Sequence, residues 1–326
     1  CIRDRAEVAG TNYLIRELRI GKLSLRILKG DFVVEDLYVA GLTPTDRPFL
    51  EADRIVVSMA WAPLLRREIF IESFEIDGWR MLVETFEGRR HTLPTFGSTE
   101  PSESGEKLFA TTFQRIQAKN GELTFEDHAP PWSVLARNLE INVVKAPDYR
   151  GEANFSGGTI QIQEYEPMSA SLRAAFDIEG PYFRFERINL LTDGAETVLT
   201  GDLDMREWPE QTYELRSEME FSKMREIFWA RDQFRLSGTG EFIGTYRLYT
   251  GGHDVSGTFT SELAGFNEHR FPNLAGSLRW LRDSFELWDT TSEFNGGRAY
   301  FTHSMVPLDQ PCLLYTSDAA DERSSV

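Results

Sequence analysis

Cysteine is almost missing. Only Cys1 and Cys312 occur in 326 residues, which leaves no disulfide framework to argue for. Histidine is scarce too: His91, His128, His253, His269 and His303 are scattered without the short spacings of a metal site, and structural or surface roles are expected for each. No run approaches the ~20 apolar residues of a membrane-crossing helix. No signal peptide is visible where the chain opens Cys1-Ile2-Arg3. Positive charge is in deficit, with 35 Lys and Arg against 52 Asp and Glu for a net −17. A nucleic-acid binder needs the opposite balance to displace counterions from phosphate, so that class is excluded. The sequence holds no G-x-S-x-G, no P-loop and no G-x-G-x-x-G opening a helix after a strand.

What the chain has is alternation. Leu23, Leu25 and Ile27 alternate with Ser24 and Arg26; Phe32 and Val34 follow, then Leu37 and Val39. The same period of two runs through Ala52, Ile55, Val57 and Met59, and through Leu139, Ile141 and Val143. It continues in Leu172, Ala174, Phe176 and Ile178, and in Tyr213, Leu215, Ser217 and Met219. Such spacing gives strands with one greasy and one wet face, and 23 Phe residues agree with it. One-residue slips in phase, as between Val34 and Leu37, are expected to mark bulges or short breaks. Turn chemistry at Asn120-Gly121, Gly157-Gly158, Asp193-Gly194, Gly251-Gly252 and Asn295-Gly296-Gly297 predicts hairpins. The result is a mainly β meander of antiparallel strands. One short helix is predicted over Ala62–Glu68 and another over Ser222–Arg231, with Ser222 as its N-cap. Phe109–Gln117 reads equally as helix or strand.

The polar stretch 97–106 separates an N-terminal β unit, 1–96, from a second β region, 107–311, unless it is a long hairpin loop. Residues Cys312–Glu322, CLLYTSDAADE, resemble the translation of a transposase-type sequencing adapter. Residues 312–326 are therefore set aside, and the chain is expected to be a fragment of a longer gene.

The search for chemistry is negative. Glu35-Asp36, Glu126-Asp127 and Asp202/Asp204 lack a partner nucleophile or metal ligand and read as wet strand faces. Gly238-Thr239-Gly240 sits among alternating Phe234, Leu236, Phe242, Tyr246 and Leu248, so it is a strand whose glycines empty one face or permit a strong twist. No catalytic residue, cofactor or metal is expected.

Two runs carry a resemblance. KLSLRILKGDFVVEDLYVAGL (22–42) and RPFLEADRIVVSMAWAPLLRREIFIESFEIDGWRMLVET (47–85) resemble the N-terminal region of AsmA-like proteins, including TamB. QRIQAKNGELTFEDHA (114–129) and GSLRWLRDSFELWDTTSEFNGGRAYF (276–301) resemble that family's repeating strand units. The resemblance implies an elongated, curved β-groove in the periplasm, anchored in the inner membrane by a helix preceding residue 1. It further implies a hydrophobic track for phospholipid acyl chains moving towards the outer membrane. Phe32, Val34, Val57, Ile71, Ile76, Phe125, Ile141, Phe176, Phe183, Leu215, Phe242 and Phe259 are the expected lining; an ordinary sandwich core is the other reading of each. Two other functions remain to be weighed. One is an assembly module that templates outer-membrane β-barrel proteins by strand addition. The other is a carbohydrate-active enzyme, which would need two carboxylates facing each other in a cleft.

Overall fold

The computed structural model describes residues 2–26, 30–43, 45–63, 68–94, 110–129, 131–294 and 296–305. The alternating pattern becomes one 19-stranded sheet with two helices. Helix α1 spans Ile2–Leu14. The first strands are β1 (Leu18–Arg26), β2 (Asp31–Val39), β3 (Leu50–Ala60), β4 (Glu68–Phe86), β5 (Arg90–His91), β6 (Ala110–Phe113) and β7 (Arg115–Asp127). Then come β8 (Trp132–Lys145), β9 (Tyr149–Ile162), β10 (Met168–Glu179), β11 (Tyr182–Thr192), β12 (Ala195–Asp204) and β13 (Gln211–Glu220). Helix α2 (Phe221–Phe228) follows, then β14 (Leu236–Ser237), β15 (Thr239–Tyr249), β16 (Gly252–Phe266), β17 (His269–Leu281), β18 (Phe285–Phe294) and β19 (Gly297–Met305).

The strands pair in chain order, β1 through β4, then β7 through β13, then β15 through β19. The sheet does not close on itself, since β1 pairs only with β2 and β19 only with β18 among the described residues. One step departs from the predicted meander. Strands β6 and β7 both run parallel to β4. A parallel neighbour requires the chain to return along the whole strand before restarting, which takes a dozen or more residues; residues 87–109 supply that return. The polar stretch 97–106 lies inside it and outside the described residues, as do 312–326. The Phe109–Gln117 segment resolves to strand from Ala110.

Two predicted hairpin turns are instead strand interior. Asn120-Gly121 lies within β7 and Gly157-Gly158 within β9. Asn120 and Gly157 take left-handed backbone, with φ of 50° and 69°. Asp36 in β2, Gly78 in β4 and Asn138 in β8 do the same. Asn, Asp and Gly are the residues that reach this region at least cost. Register places Asp36 opposite Asp53, Asp53 opposite Gly78, and Gly78 beside Asn120. Asn120 Nδ2 donates to Asp77 Oδ1 at 2.6 Å. Single left-handed residues thus line up across β2, β4, β7 and β8, with Asp53 of β3 in ordinary extended backbone between the first two. Each turns the strand over by one position, so the apolar side chains return to the same face beyond the slip. That is the cause of the phase breaks between Val34 and Leu37 and between Ile76 and Trp79.

The sheet curls onto itself. Five strand spacings separate β7 from β12, about 24 Å if flat. Yet Trp208, just beyond β12, lies 5.8 Å ring to ring from Phe125 of β7 and donates from Nε1 to Thr85 Oγ1 at 3.4 Å. Gln163 in the β9–β10 connection donates to the Arg282 carbonyl beyond β17 at 3.0 Å.

The helices were less legible. Helix α1 was not foreseen, because none of its residues is buried and it has no apolar stripe to read. Its work is polar. Glu7 Oε1 accepts from the Ile20 amide at 2.7 Å and Thr11 Oγ1 from the Leu18 amide at 3.1 Å. These occupy donors that β1, as an edge strand, would otherwise offer to another chain. Replacing both, Glu7→Ala with Thr11→Val, should cost about 1 kcal/mol per hydrogen bond. Amide exchange at residues 18 and 20 should accelerate, and sedimentation should show concentration-dependent self-association. Of the helix predicted over Ala62–Glu68, Ala62 and Pro63 are helical in a 3-10 turn and residues 64–67 lie outside the described residues; only the end is corrected, since Glu68 already opens β4. Helix α2 begins at Phe221 with Glu220 in the cap position, and the Ser222 hydroxyl donates to the Glu220 carboxylate instead of capping.

Candidate functional site: the inner face of the sheet

Two rows of side chains can be followed strand by strand through directly paired positions. The first runs Leu23, Val34, Ile55, Ile76, Ala118, Ile141, Ala153, Ala174, Ile188, Leu199, Leu215, Gly244, Gly257, Leu278 and Leu287. The second runs Leu25, Phe32, Val57, Phe74, Ile116, Val143, Gly151, Phe176, Phe185, Gly201, Tyr213, Tyr246, Val255, Trp280 and Phe285. No charged residue interrupts either row. Directly opposed residues share a face, so both rows lie on one side of the sheet, the inner side.

Seven of the twelve expected lining residues lie in these rows: Val34, Ile76, Ile141 and Leu215 in the first, Phe32, Val57 and Phe176 in the second. Phe183 opposes Ile178 and Leu203 on the same face, and its ring lies 5.9 Å from that of Phe176. Phe242 and Phe259 oppose each other across β15 and β16, one pair along from Gly244 and Gly257. Ile71 opposes Met59 across a bulge and sits where β6 joins. Phe125 belongs to a cluster with Val39, Phe49 and Val83 that shares Leu37, Met81 and Leu123 with the main row cluster.

Burial along this face is mixed. Phe125, Phe176 and Phe242 are buried, and the other nine expected residues are half-buried. Among the described residues α1 lies against β1, and α2 packs against β13 and β14 and meets the β9–β10 connection at Tyr165 and Glu166. Trp208 meets Phe125 across the curl and α2 covers the end of the second row; an apolar strip of this extent, only partly covered, marks an interaction surface. Burial pushes the phenol pKa values of Tyr213 and Tyr246 upward, as expected for hydroxyls carried into apolar surroundings.

Glycines shape the rows. A Cβ on Gly151 would fall 2.3 Å from the Phe176 ring and one on Gly201 2.6 Å from that of Tyr213; both rings lie flat across the neighbouring strand because nothing stands there. Gly244 and Gly257 oppose each other with their backbones close, and a Cβ on either would meet a partner-strand carbonyl at 2.2 Å. At Gly240 the emptied space holds the Phe221 ring of α2, 2.4 Å from an added Cβ. The emptied-face reading of the glycine pattern is thus realised at Gly240.

The outer face is wet. Cross-strand ion pairs Lys22–Glu35, Arg137–Glu122, Arg150–Asp177, Arg184–Asp202, Arg216–Glu241 and Arg279–Asp254 run over it. Exposed pairs of this kind contribute little stability, but they keep that face in water.

The acidic pairs form no catalytic couple: Asp202 and Asp204 share a face of β12 but each pairs with an arginine, Arg184 and Arg206. Glu126 and Asp127 are neighbours in β7 and point to opposite sides, as consecutive strand residues must. The Asp127 carboxylate accepts from the Ala129 amide at 2.9 Å, and burial pushes its pKa upward. Glu126 is held low by the Arg47 guanidinium. Among the described residues one group could offer three metal ligands, Glu84, Glu126 and His128. Arg47 already donates to both carboxylates, to Glu84 Oε1 at 2.7 Å and to Glu126 at 2.5–2.9 Å, and His128 Nε2 lies 3.1 Å from Glu84. The cluster is a charge-matched clamp tying the chain before β3 to β4 and β7. Arg47→Met should destabilise by about 1 kcal/mol after allowance for the exposure of Arg47. Because the Glu126 pKa is lowered on folding, this contribution is present above its ordinary value of 4.5 and fades as pH falls below it. Urea unfolding at pH 7 and pH 3.5 should show a larger wild-type advantage at the first than at the second.

No family model, no curated protein and no solved structure matches the chain. The case for what this face does therefore rests on its own chemistry.

The sequence reading missed the residues that cross the trough. Tyr165, Phe221, Phe228 and Trp229 come from the β9–β10 connection and from α2, where no strand alternation points to them. The usable signal was the aromatic pair Phe228-Trp229 closing a short amphipathic segment.

Proposed function

We propose that this chain is a non-catalytic segment of an AsmA/TamB-like envelope protein, and that its inner face carries phospholipid acyl chains between membranes. The observation that carries the reading is the pair of unbroken apolar rows, half-buried over most of their length, on a sheet whose outer face is charged. Acyl chains laid along the rows gain about 0.8 kcal/mol for each CH₂ removed from water, while headgroups stay at the open rim. Such transfer needs a continuous surface and no reacting group. The resemblance of residues 22–85 to AsmA-like proteins supports the same reading and implies a periplasmic setting. A templating role for outer-membrane β-barrels needs a bare sheet edge. At β1 the amides of Leu18 and Ile20 are already taken by Thr11 and Glu7, which leaves β19 as the edge such a role would have to use.

The test is direct: delipidated protein is mixed with vesicles containing a phospholipid fluorescent in its acyl chain, then re-isolated. Stoichiometric uptake of label is the expected result. Protein that returns without label, from vesicles of both zwitterionic and anionic lipid, would rule the reading out.

A further inference from the structure

The inner face is not open along its whole length. Three contacts place α2 on it. Phe221 fills the space over Gly240. The Phe228 ring lies 5.4 Å from that of Trp280, and the Trp229 ring 6.1 Å from that of Phe285. Trp280 and Phe285 are consecutive members of the second row, so the last part of that row is covered by the chain's own aromatic side chains. Tyr165 completes the closure from the other wall, 5.0 Å from Phe228 and 6.4 Å from Trp280. The Glu166 amide donates to the Ile227 carbonyl at 3.2 Å.

We infer that α2 is a displaceable stopper that occupies an acyl-chain site on β15–β18, so that the trough has a second lipid-binding segment closed in this state. The inference rests on the lipid reading of the rows and goes beyond it by dividing the track in two. The floor beneath α2 continues the same two rows, which is why an acyl chain fits it chemically. The aromatic side chains of α2 provide there the apolar contact that a hydrocarbon chain would provide in their place. The helix is also lightly held. Eight residues are too few for a helix to persist without packing, and Ile227 alone among them is buried. The Arg225 guanidinium, donating to the carbonyls of Asp232 and Phe234, ties α2 to the loop that follows it, so the two can move as a unit.

A photo-reactive phenylalanine analogue is placed at Phe285, beneath the stopper, or at Ile141, in the open part of the trough. Each protein is incubated with radiolabelled phospholipid vesicles and illuminated. In the otherwise wild-type chain, position 141 should label strongly and position 285 at least fivefold less. With Phe228→Ser and Trp229→Ser together, position 285 should rise to the level of position 141. Tyr165→Ser loosens the same contact without touching the helix and should move labelling in the same direction, which keeps the test valid if the double variant fails to fold. Equal labelling at 285 with and without these substitutions overturns the stopper while leaving lipid binding intact. No labelling at 141 in any protein overturns the lipid reading itself, and the stopper with it.

Discussion

Val57→Glu should lower phospholipid uptake by roughly tenfold or more, the equivalent of about 1.4 kcal/mol or above, and leave the β-sheet circular dichroism unchanged. Val57 sits in the second row between Phe32 and Phe74. A carboxylate there stands where hydrocarbon should lie, and an unpaired charge against an apolar chain is heavily disfavoured. Because Val57 is half-buried, its replacement can stay solvated when the trough is empty, so the protein still folds. The substitution acts on the occupied state. Phe176→Glu should also block uptake but is a less clean probe. Phe176 is buried, crosses Gly151 and meets Phe183 and Phe185, and losing a buried Phe costs about 3–5 kcal/mol. Its loss of uptake counts only alongside an unfolding measurement. An outer-face control, Val56→Glu, should leave uptake unaltered.

The second large effect is on stability. Gly244→Val should destabilise the protein by about 3 kcal/mol or more, the upper end for forced overpacking. The added Cβ would sit 2.2 Å from the Ser256 carbonyl and 2.8 Å from the Gly257 Cα, both backbone atoms that cannot turn aside. Strands β15 and β16 would have to separate at the point where the first row crosses them. Ile243→Thr, one residue away but 51% exposed on the outer face, should change stability by no more than about 0.5 kcal/mol. Thermal and urea unfolding of the two variants side by side measure the contrast.

The strands were legible because they follow one rule. Most alternate residues from Leu23 to Met219 are apolar wherever a strand crosses the sheet, and the structure keeps those residues on one face. The slips in that rule were visible as well, but not their cause. Asn120 reads as a turn former and Asp36 as part of a wet acidic pair, and only their alignment across paired strands, with Asn138, shows them turning each strand over while it continues. The parallel step between β4 and β7 was hidden for a related reason: strand periodicity records burial and says nothing of direction. Helix α1 escaped because its role is to supply Glu7 and Thr11 to an edge, a task with no hydrophobic period. Helix α2 was found as an element, yet its place on the inner face depends on Phe221 meeting a bare Gly240 nineteen positions later in the chain, a contact that local pattern cannot express.

The central claim concerns sidedness, and one comparison tests it most directly. Ile141 and Asn142 are neighbours in β8, the first in the apolar row and the second opposite Gln117 on the outer face, where the two side chains are hydrogen-bonded at 2.9 Å. A photo-reactive residue at each position, illuminated with labelled phospholipid, should crosslink at 141 and remain near background at 142. Equal labelling at the two positions, or labelling confined to 142, would contradict a lipid track on the inner face.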